Sequence, residues 1–418
     1  MPSQYATSVY PVPDRFINLG KEVSPGTIAA STYTFPVTTF KPVDKYTYME
    51  DSAWRNAMAE LYNLIQGVRI ADISIGGPLF ADGIGYALVN TLGDYWQAVN
   101  GTTGTSNSLS GPSAVGATTI VLTSSTGFSN GETISIGGTG TTAEEVRTIT
   151  NVGAAGTLTL NSALYQSHNT GSTVWAYSAV TTYVHKFSLL NSGLGAGGWT
   201  KSQPATYTYV DYTGVPATYG ARNYAYSCYS ELTVSGEATG LVMWDGKITS
   251  IASVIATSTP TTSLSTVAPQ PAWNTSISLA GAGTLNSADY KLTLSRKISP
   301  KFTNSGQQDP FAIARGALGA MLSINFDPAQ DESEFLYYLN NTQPTALITS
   351  SNGLAGTAAA SIAIAAQVAA FDTGEINDSK DVFGFDTSVK CVANTTNTGP
   401  SGGFSPILVT VTNAVVNY

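Results

Sequence analysis

The apolar positions of residues 67–94, GVRIADISIGGPLFADGIGYALVNTLGD, change their period once. Val68, Ile70, Ile73 and Ile75 stand among small or polar residues, the spacing of a half-buried strand. Gly76, Gly77 and Pro78 break that strand. Phe80, Ile84 and Leu88 then recur at intervals of four, with Ala87 and Leu92 beside them, which predicts a helix over 80–92 with Gly93 as its C-terminal cap. Residues 316–342, GALGAMLSINFDPAQDESEFLYYLNNT, repeat the plan. Leu318, Met321, Leu322, Ile324 and Phe326 make the strand, and Asp327 and Pro328 turn it. Asp331, Glu332 and Glu334 load the start of a helix over 333–340 with acid, where the helix dipole favours it. Phe335, Leu336 and Leu339 form its apolar face, and Asn340 and Asn341 end it. The segments before the two copies, 44–48 (DKYTY) and 289–294 (DYKLTL), also agree. The pattern reads as a tandem duplication of one β-rich unit carrying a single helix.

Around these copies the pattern predicts further pieces. Residues 1–40, rich in Pro, Tyr and Thr without a period, read as an extended arm. Trp54, Met58, Leu61, Leu64 and Ile65 have helical spacing. Residues 100–111, NGTTGTSNSLSG, have the composition of a flexible linker. From there to about 177 the style changes to short strands at 119–122, 132–136, 145–152, 157–160 and 173–176, with Gly and Asn turns, as in a small all-β module. The parent pattern resumes at 183–189, so the module is an insertion with adjacent ends. Alternating strands follow at 224–234 and 240–254, then a Pro/Ser/Thr-rich linker at 258–271. Strands at 276–279, 361–371, 382–392 and 407–411 complete the second unit, with an Asp-rich loop after 371. The expected organisation is arm 1–40, first unit 41–109 with 179–257, inserted module 110–178, linker 258–271 and second unit 272–418.

Composition narrows the role. Charged residues make up 11% of the 418, and the net charge is −9 with no basic run, which argues against a surface that grips DNA. The first residues lack the charged and apolar regions of a secretion signal. The apolar run 362–371 is interrupted by Gln367 and too short to cross a bilayer, so a soluble chain made in a cytoplasm is expected. Cys228 and Cys391, the two cysteines, lie in apolar strand contexts and read as small buried residues.

Candidate chemistry is sparse. Asp372-Thr373-Gly374 and Asp386-Thr387-Ser388 resemble aspartic protease signatures, but both lie in one short hairpin instead of facing each other from two lobes. Turn chemistry is the reading they favour. Asp372, Glu375, Asp378 and Asp381 lack the spacing of a calcium loop and read as a solvated acidic hairpin. With His168 and His185 as the sole histidines, neither a Ser-His-Asp set nor a zinc site assembles. His185 lies on a strand, a place for packing or surface exposure. Gly83-Ile84-Gly85 is a fragment of a nucleotide fingerprint without its third Gly or acidic partner. No catalytic, cofactor-binding or metal-binding residue is assigned, and no enzyme activity or cofactor is expected.

The order of strand, Gly/Pro corner, LFADGIGYALVNTLGD and then Tyr183-Val184-His185-Lys186-Phe187 resembles the tail tube (major tail) proteins of long-tailed, siphovirus-type bacteriophages. It covers most of residues 40–257 outside the insertion and, through the duplication, 273–418. The string GATTIVLTSSTGFSNGETISIG resembles a small Ig-like β module that decorates phage structural proteins, here expected to face outward. The implied fold is mainly β: two tandem tail-tube-type β-barrel/sandwich units, each with one flanking helix, plus the small inserted all-β domain. The implied function is a structural virion protein whose neighbouring inner sheets join around a channel, its rings stacking into the tail tube for DNA ejection. Family members are usually single units that form hexamers, so a duplicated chain implies homotrimeric rings. The implied partners are further copies of the chain, a tape measure protein inside, tail terminator and tail-tip proteins at the ends, and double-stranded DNA passing without specific binding. No membrane is involved, and assembly takes place in the host bacterial cytoplasm. Another β-rich virion protein, capsid or fibre, and a bacterial surface-layer or adhesin protein share the composition.

Overall fold

In a computed structural model the chain is mainly β, with two large antiparallel sheets and two short α-helices. The structure describes residues 15–138, 143–191, 203–213, 220–256, 260–265, 267–281, 284–327, 333–380 and 382–418. Residues 1–14 of the expected arm, and Pro328, Asp331, Glu332 and Asp381, lie outside these.

Eight strands form the long run of the first sheet. In chain order they are β1 (Thr39–Asp51), β2 (Asn63–Pro78), β3 (Ala221–Glu237), β4 (Met243–Ser250), β5 (Ser287–Lys301), β6 (Ala312–Phe326), β7 (Ala369–Lys380) and β8 (Val382–Cys391). Their order across the sheet is β1-β2-β4-β3-β5-β6-β8-β7. Strands β4, β5 and β6 alternate. In β4, Trp244, Gly246, Ile248 and Ser250 are buried while Met243, Asp245 and Lys247 are exposed. One face therefore packs into the core and the other meets solvent. The second sheet brings Thr275–Leu279, Ala346–Ser351, Ser361–Ala366, Leu408–Asn413 and Thr173–Leu189 together. Ile75, Trp244, Leu292, Ile324 and Phe385 share one hydrophobic core with Ile277, Ile348, Ile362, Val409 and Phe187 of that sheet.

The first helix, α1 (Ile84–Thr91), is buried along its whole length, as its apolar spacing requires. It stops at Gly93, whose φ of +93° suits glycine and little else, and a Cβ there would strike the Pro204 ring. The second, α2 (Ser333–Leu339), has acidic Glu334 in its first turn.

Several expectations for the connections are corrected. Residues 46–67 form no helix: they are the far end of the β1–β2 hairpin, whose tip at 52–62 leaves Trp54 and Met58 fully exposed. Residues 100–111 are no free linker, because Gly93–Ser108 is one continuous strand paired with Thr173–Leu189. Residues 100–106 of this strand are exposed and need Thr and Ser but no apolar alternation, so the stretch looks like linker. Part of the arm is sheet: Phe16–Lys21 pairs with both Tyr33–Phe35 and Tyr207–Tyr212. The 258–271 stretch is tied down, with Thr34 N–H donating to the Ser263 carbonyl (3.1 Å) and Gln270 N–H to that of Leu79 (3.0 Å). The Asp-rich loop after Phe371 is the strand β7.

Residues 109–176 enclose a core of their own, from Leu109 and Ile120 through Ile149 to Val174 and Ala176. The ribbon carries them, and its far end pairs Ser108 with Thr173.

Candidate assembly interface

The first sheet is one four-strand pattern written twice. β1-β2-β4-β3 and β5-β6-β8-β7 have the same order, and two irregularities of the first set recur at matching places in the second, which has two more of its own, between Ser287 and Asp289 and between Asn377 and Lys380. β1 is interrupted between Tyr46 and Tyr48, opposite Arg69 and Gln66. β5 is interrupted between Arg296 and Ile298, opposite Leu318 and Arg315. β3 has its bulge between Tyr229 and Glu231, opposite Ile248 and Lys247. β7 has its own between Phe371 and Thr373, opposite Val389 and Ser388. A bulge marks a definite register in a ladder, so these four align the halves residue by residue. Gly67 corresponds to Gly316, Tyr46 to Arg296, Glu231 to Thr373 and Trp244 to Phe385. The helices keep this step, since Ile84 follows Gly77 and Ser333 follows Phe326 at equal distance.

The halves join because β3 pairs with β5, from Glu231 against Ser295 to Glu237 against Asp289. That junction leaves two outer edges, β1 and β7. Matched positions differ in burial accordingly. Val234 on β3 is 2% exposed, whereas its counterpart Ile376 on β7 is 64% exposed. Val242 is sealed and its counterpart Phe383 is 67% exposed. Ile313, covered where the halves meet, is 1% exposed, and its counterpart Leu64 is 49% exposed. α1 is covered at its C-terminal end by the second half: Arg296 Nη1 donates to the Thr91 carbonyl (2.9 Å) and Arg315 Nη1 to that of Asn90 (2.8 Å). Both guanidinium groups lie where the helix dipole is negative. On α2 the matching end is bare, and Leu336, Tyr338 and Leu339 are exposed. Val234, Val242 and the end of α1 are thus covered in the first half while their counterparts in the second are open, and Ile313 is covered in the second half while Leu64 of the first is open.

The residues singled out for chemistry lie elsewhere. Asp372 occupies the β7 bulge and pairs with Lys390 (2.8 Å) on the solvent face. Asp386 lies in mid-strand opposite Glu375 and accepts a hydrogen bond from Asn377 Nδ2 (2.9 Å). Neither Asp-Thr signature is a turn, and their register does not bring the two carboxylates together. Among the described residues no group of His, Cys, Asp or Glu is arranged to hold a metal ion. Gly85 opens α1 because a Cβ there would enter the Tyr418 ring at 2.2 Å. Cys228 is buried and Cys391 half-buried, both as free thiols, and burial raises their pKa values to about 11 and about 12.

Both histidines are buried. His185 Nδ1 meets the Tyr95 hydroxyl (2.8 Å), and Nε2 donates to the Val415 carbonyl (2.9 Å), a partner set that suits the neutral ring. Burial lowers its pKa to about 4, although the contacts to Val415 and Asn413 pull the other way. His168 belongs to a joint between module and body that sequence reasoning missed. Glu145 takes Arg147 Nη2 (2.7 Å), His168 Nε2 (2.9 Å) and the backbone N–H groups of Tyr165 and Gln166. Burial alone would raise the Glu145 pKa, but Arg147 and His168 hold it below the usual carboxylate range. From the body, Gln97 Oε1 accepts Arg147 Nη1 (3.3 Å), and Lys21 Nζ bonds to the Tyr165 hydroxyl. The joint forms from four separate stretches of chain, which local spacing could not reveal.

No known protein-family model matches the chain, and no curated protein aligns with it.

Proposed function

We propose that this chain is a structural protein whose copies join head to tail, β7 of one to β1 of the next, into closed rings that stack into a phage tail tube. The observation that supports this reading is the β3–β5 junction: the chain already contains one copy of the contact and presents unused both halves of a second. A head-to-tail contact between unlike surfaces generates a ring when the rotation closes. Long uncovered edges also need an occupant, since a monomer normally blunts them.

Two repeats per chain make three chains equivalent to six repeats. Three chains of eight strands would give a barrel of 24 strands. At about 4.8 Å per strand its backbone circle is roughly 37 Å across, before strand tilt widens it. Barrels of sixteen strands or more leave an open channel, so this one would pass DNA. The likeness of residues 67–94 and 183–187 to tail tube proteins adds the setting: a virion tail built in the host cytoplasm, a tape measure protein in the channel, and terminator and tip proteins at the ends. Negative-stain microscopy and native mass spectrometry of the purified chain test the reading. Trimeric rings or tubes of them are expected. A persistent monomer would sink the assembly, shells or rods would point to a capsid or fibre component, and six chains per ring would remove the trimer.

A further inference from the structure

We infer that β7 and β1 of adjacent copies pair in one register, with Thr373 opposite Lys45, Glu375 opposite Val43 and Asn377 opposite Lys41; this rests on the ring reading above. The register follows from the junction inside the chain. There Glu231 faces Ser295, Thr233 faces Thr293 and Ser235 faces Lys291. The aligned bulges convert Glu231, Thr233 and Ser235 into Thr373, Glu375 and Asn377 on β7. They likewise convert Ser295, Thr293 and Lys291 into Lys45, Val43 and Lys41 on β1.

The side chains suit the result, although none of them entered its derivation. On the solvent face Glu375 comes to stand between Lys41 and Lys45, one residue pair away on either side, within reach for attraction between opposite charges. A slip of two residues places Glu375 directly against one lysine and moves it away from the other. On the core face the exposed Ile376 meets Pro42, as Val234 meets Leu292 within the chain. A slip of one residue would set Ile376 against Lys41 or Val43, which lie on the other face of the sheet. Pro42 withholds at most one N–H from this ladder. The bare apolar surface of α2 and Phe383 then faces the β1–β2 hairpin, where Leu64 lies exposed.

Paired cysteines test the register in the assembled protein, with Cys391→Ala removing the half-buried native thiol. Val43 and Glu375 lie on opposite edges of one chain, so a disulfide between V43C and E375C can form only across copies. Opposed residues lie about 4.5–5.5 Å apart at Cα, inside disulfide range. K41C with N377C is a second in-register pair. K45C with N377C is four residues out of register, roughly 13 Å away, and outside that range. Mild oxidation should convert both in-register variants into covalent dimers and closed trimers on a denaturing gel and leave the third as single chains. Cross-linking of the third variant alone, or of none, in preparations whose rings are intact by microscopy would overturn the register and leave the ring standing. Wild-type protein that forms no rings would overturn both.

Discussion

Burial at a single position depends here on which repeat carries it. Val234 and Ile376 occupy the same place in their halves, yet the first is sealed and the second open. Val234→Asp should prevent folding, since it leaves an unpaired charge in the core. Ile376→Asp should change monomer stability by no more than about 0.5 kcal/mol, as surface substitutions do, while abolishing rings in size-exclusion chromatography. Retained rings in that variant would mean β7 is no contact. His185 gives a second test. Its folded pKa of about 4 lies below the ordinary 6.5, so between these values the unfolded chain takes up the proton first. Its contribution is complete above pH 6.5 and is lost as pH falls toward 4, a total of about 3 kcal/mol. Asp94, raised by burial to about 6, acts in the opposite sense over part of that range. The informative quantity is therefore the difference between wild type and His185→Gln in urea unfolding at pH 7.5 and pH 4.5. Wild type should lose the larger share on acidification; parallel losses would show that His185 does not titrate with unfolding.

Among the elements, those with strong periodicity were legible in the chain and those defined by their partners were not. The helix expected at 333–340 is α2, and the one expected at 80–92 is α1 with a looser first turn before Ile84. Glu145–Val152 and Thr157–Leu160 were legible to the residue, because β-branched runs between Gly and Asn turns leave little choice. The β1–β2 arm was misread because Trp54, Met58 and Leu61 are apolar for a surface, not for a helix face. The two flanks, 44–48 and 289–294, were matched five residues out of step: the ladder places Asp44 with Leu294, not with Asp289. The repeat survives in bulges and hydrogen-bond register, which identities alone do not record. The ribbon that carries residues 109–176 allows a deletion. Joining Ser108 to Thr173 through Asn-Gly, a two-residue hairpin turn, should keep ring formation. The melting temperature should drop by several degrees, because Gln97, Lys21 and Tyr95 lose Arg147 and Tyr165 as neighbours. A deletion variant that folds but forms no rings would assign the module to the wall.

At the scale of the whole molecule, the solvent face of the eight-stranded sheet is what a closed ring would turn toward its channel. Among the described residues, its outward positions include eight carboxylates (Asp72, Glu231, Glu237, Asp245, Asp289, Asp372, Glu375, Asp386) and six lysines (Lys41, Lys45, Lys247, Lys291, Lys297, Lys390), a balance of 6 − 8 = −2 among these. The lysines are partly neutralised where they stand: Lys247 pairs with Glu231 (3.1 Å), Lys390 with Asp372 (2.8 Å), and Lys45 with Asp72. One row across five strands, Glu375–Asp386–Asn325–Asp289–Glu237, has no cation at all. Opposed like charges cost stability, and Asn325 and Asn377 relieve them by donating to Asp289 (2.8 Å) and Asp386 (2.9 Å). In the proposed ring, three chains would bring the channel to about −6. Such a wall repels phosphate and supplies no clustered Lys or Arg for DNA to release counterions against. Fluorescence anisotropy with a short labelled duplex should therefore show no binding to assembled rings, even at about 0.05 M salt where non-specific contacts are strongest. Replacing Glu375, Asp386 and Asp289 by Lys should create binding that weakens steeply as salt rises. Salt-dependent binding by the wild-type rings would mean that another, basic surface lines the channel.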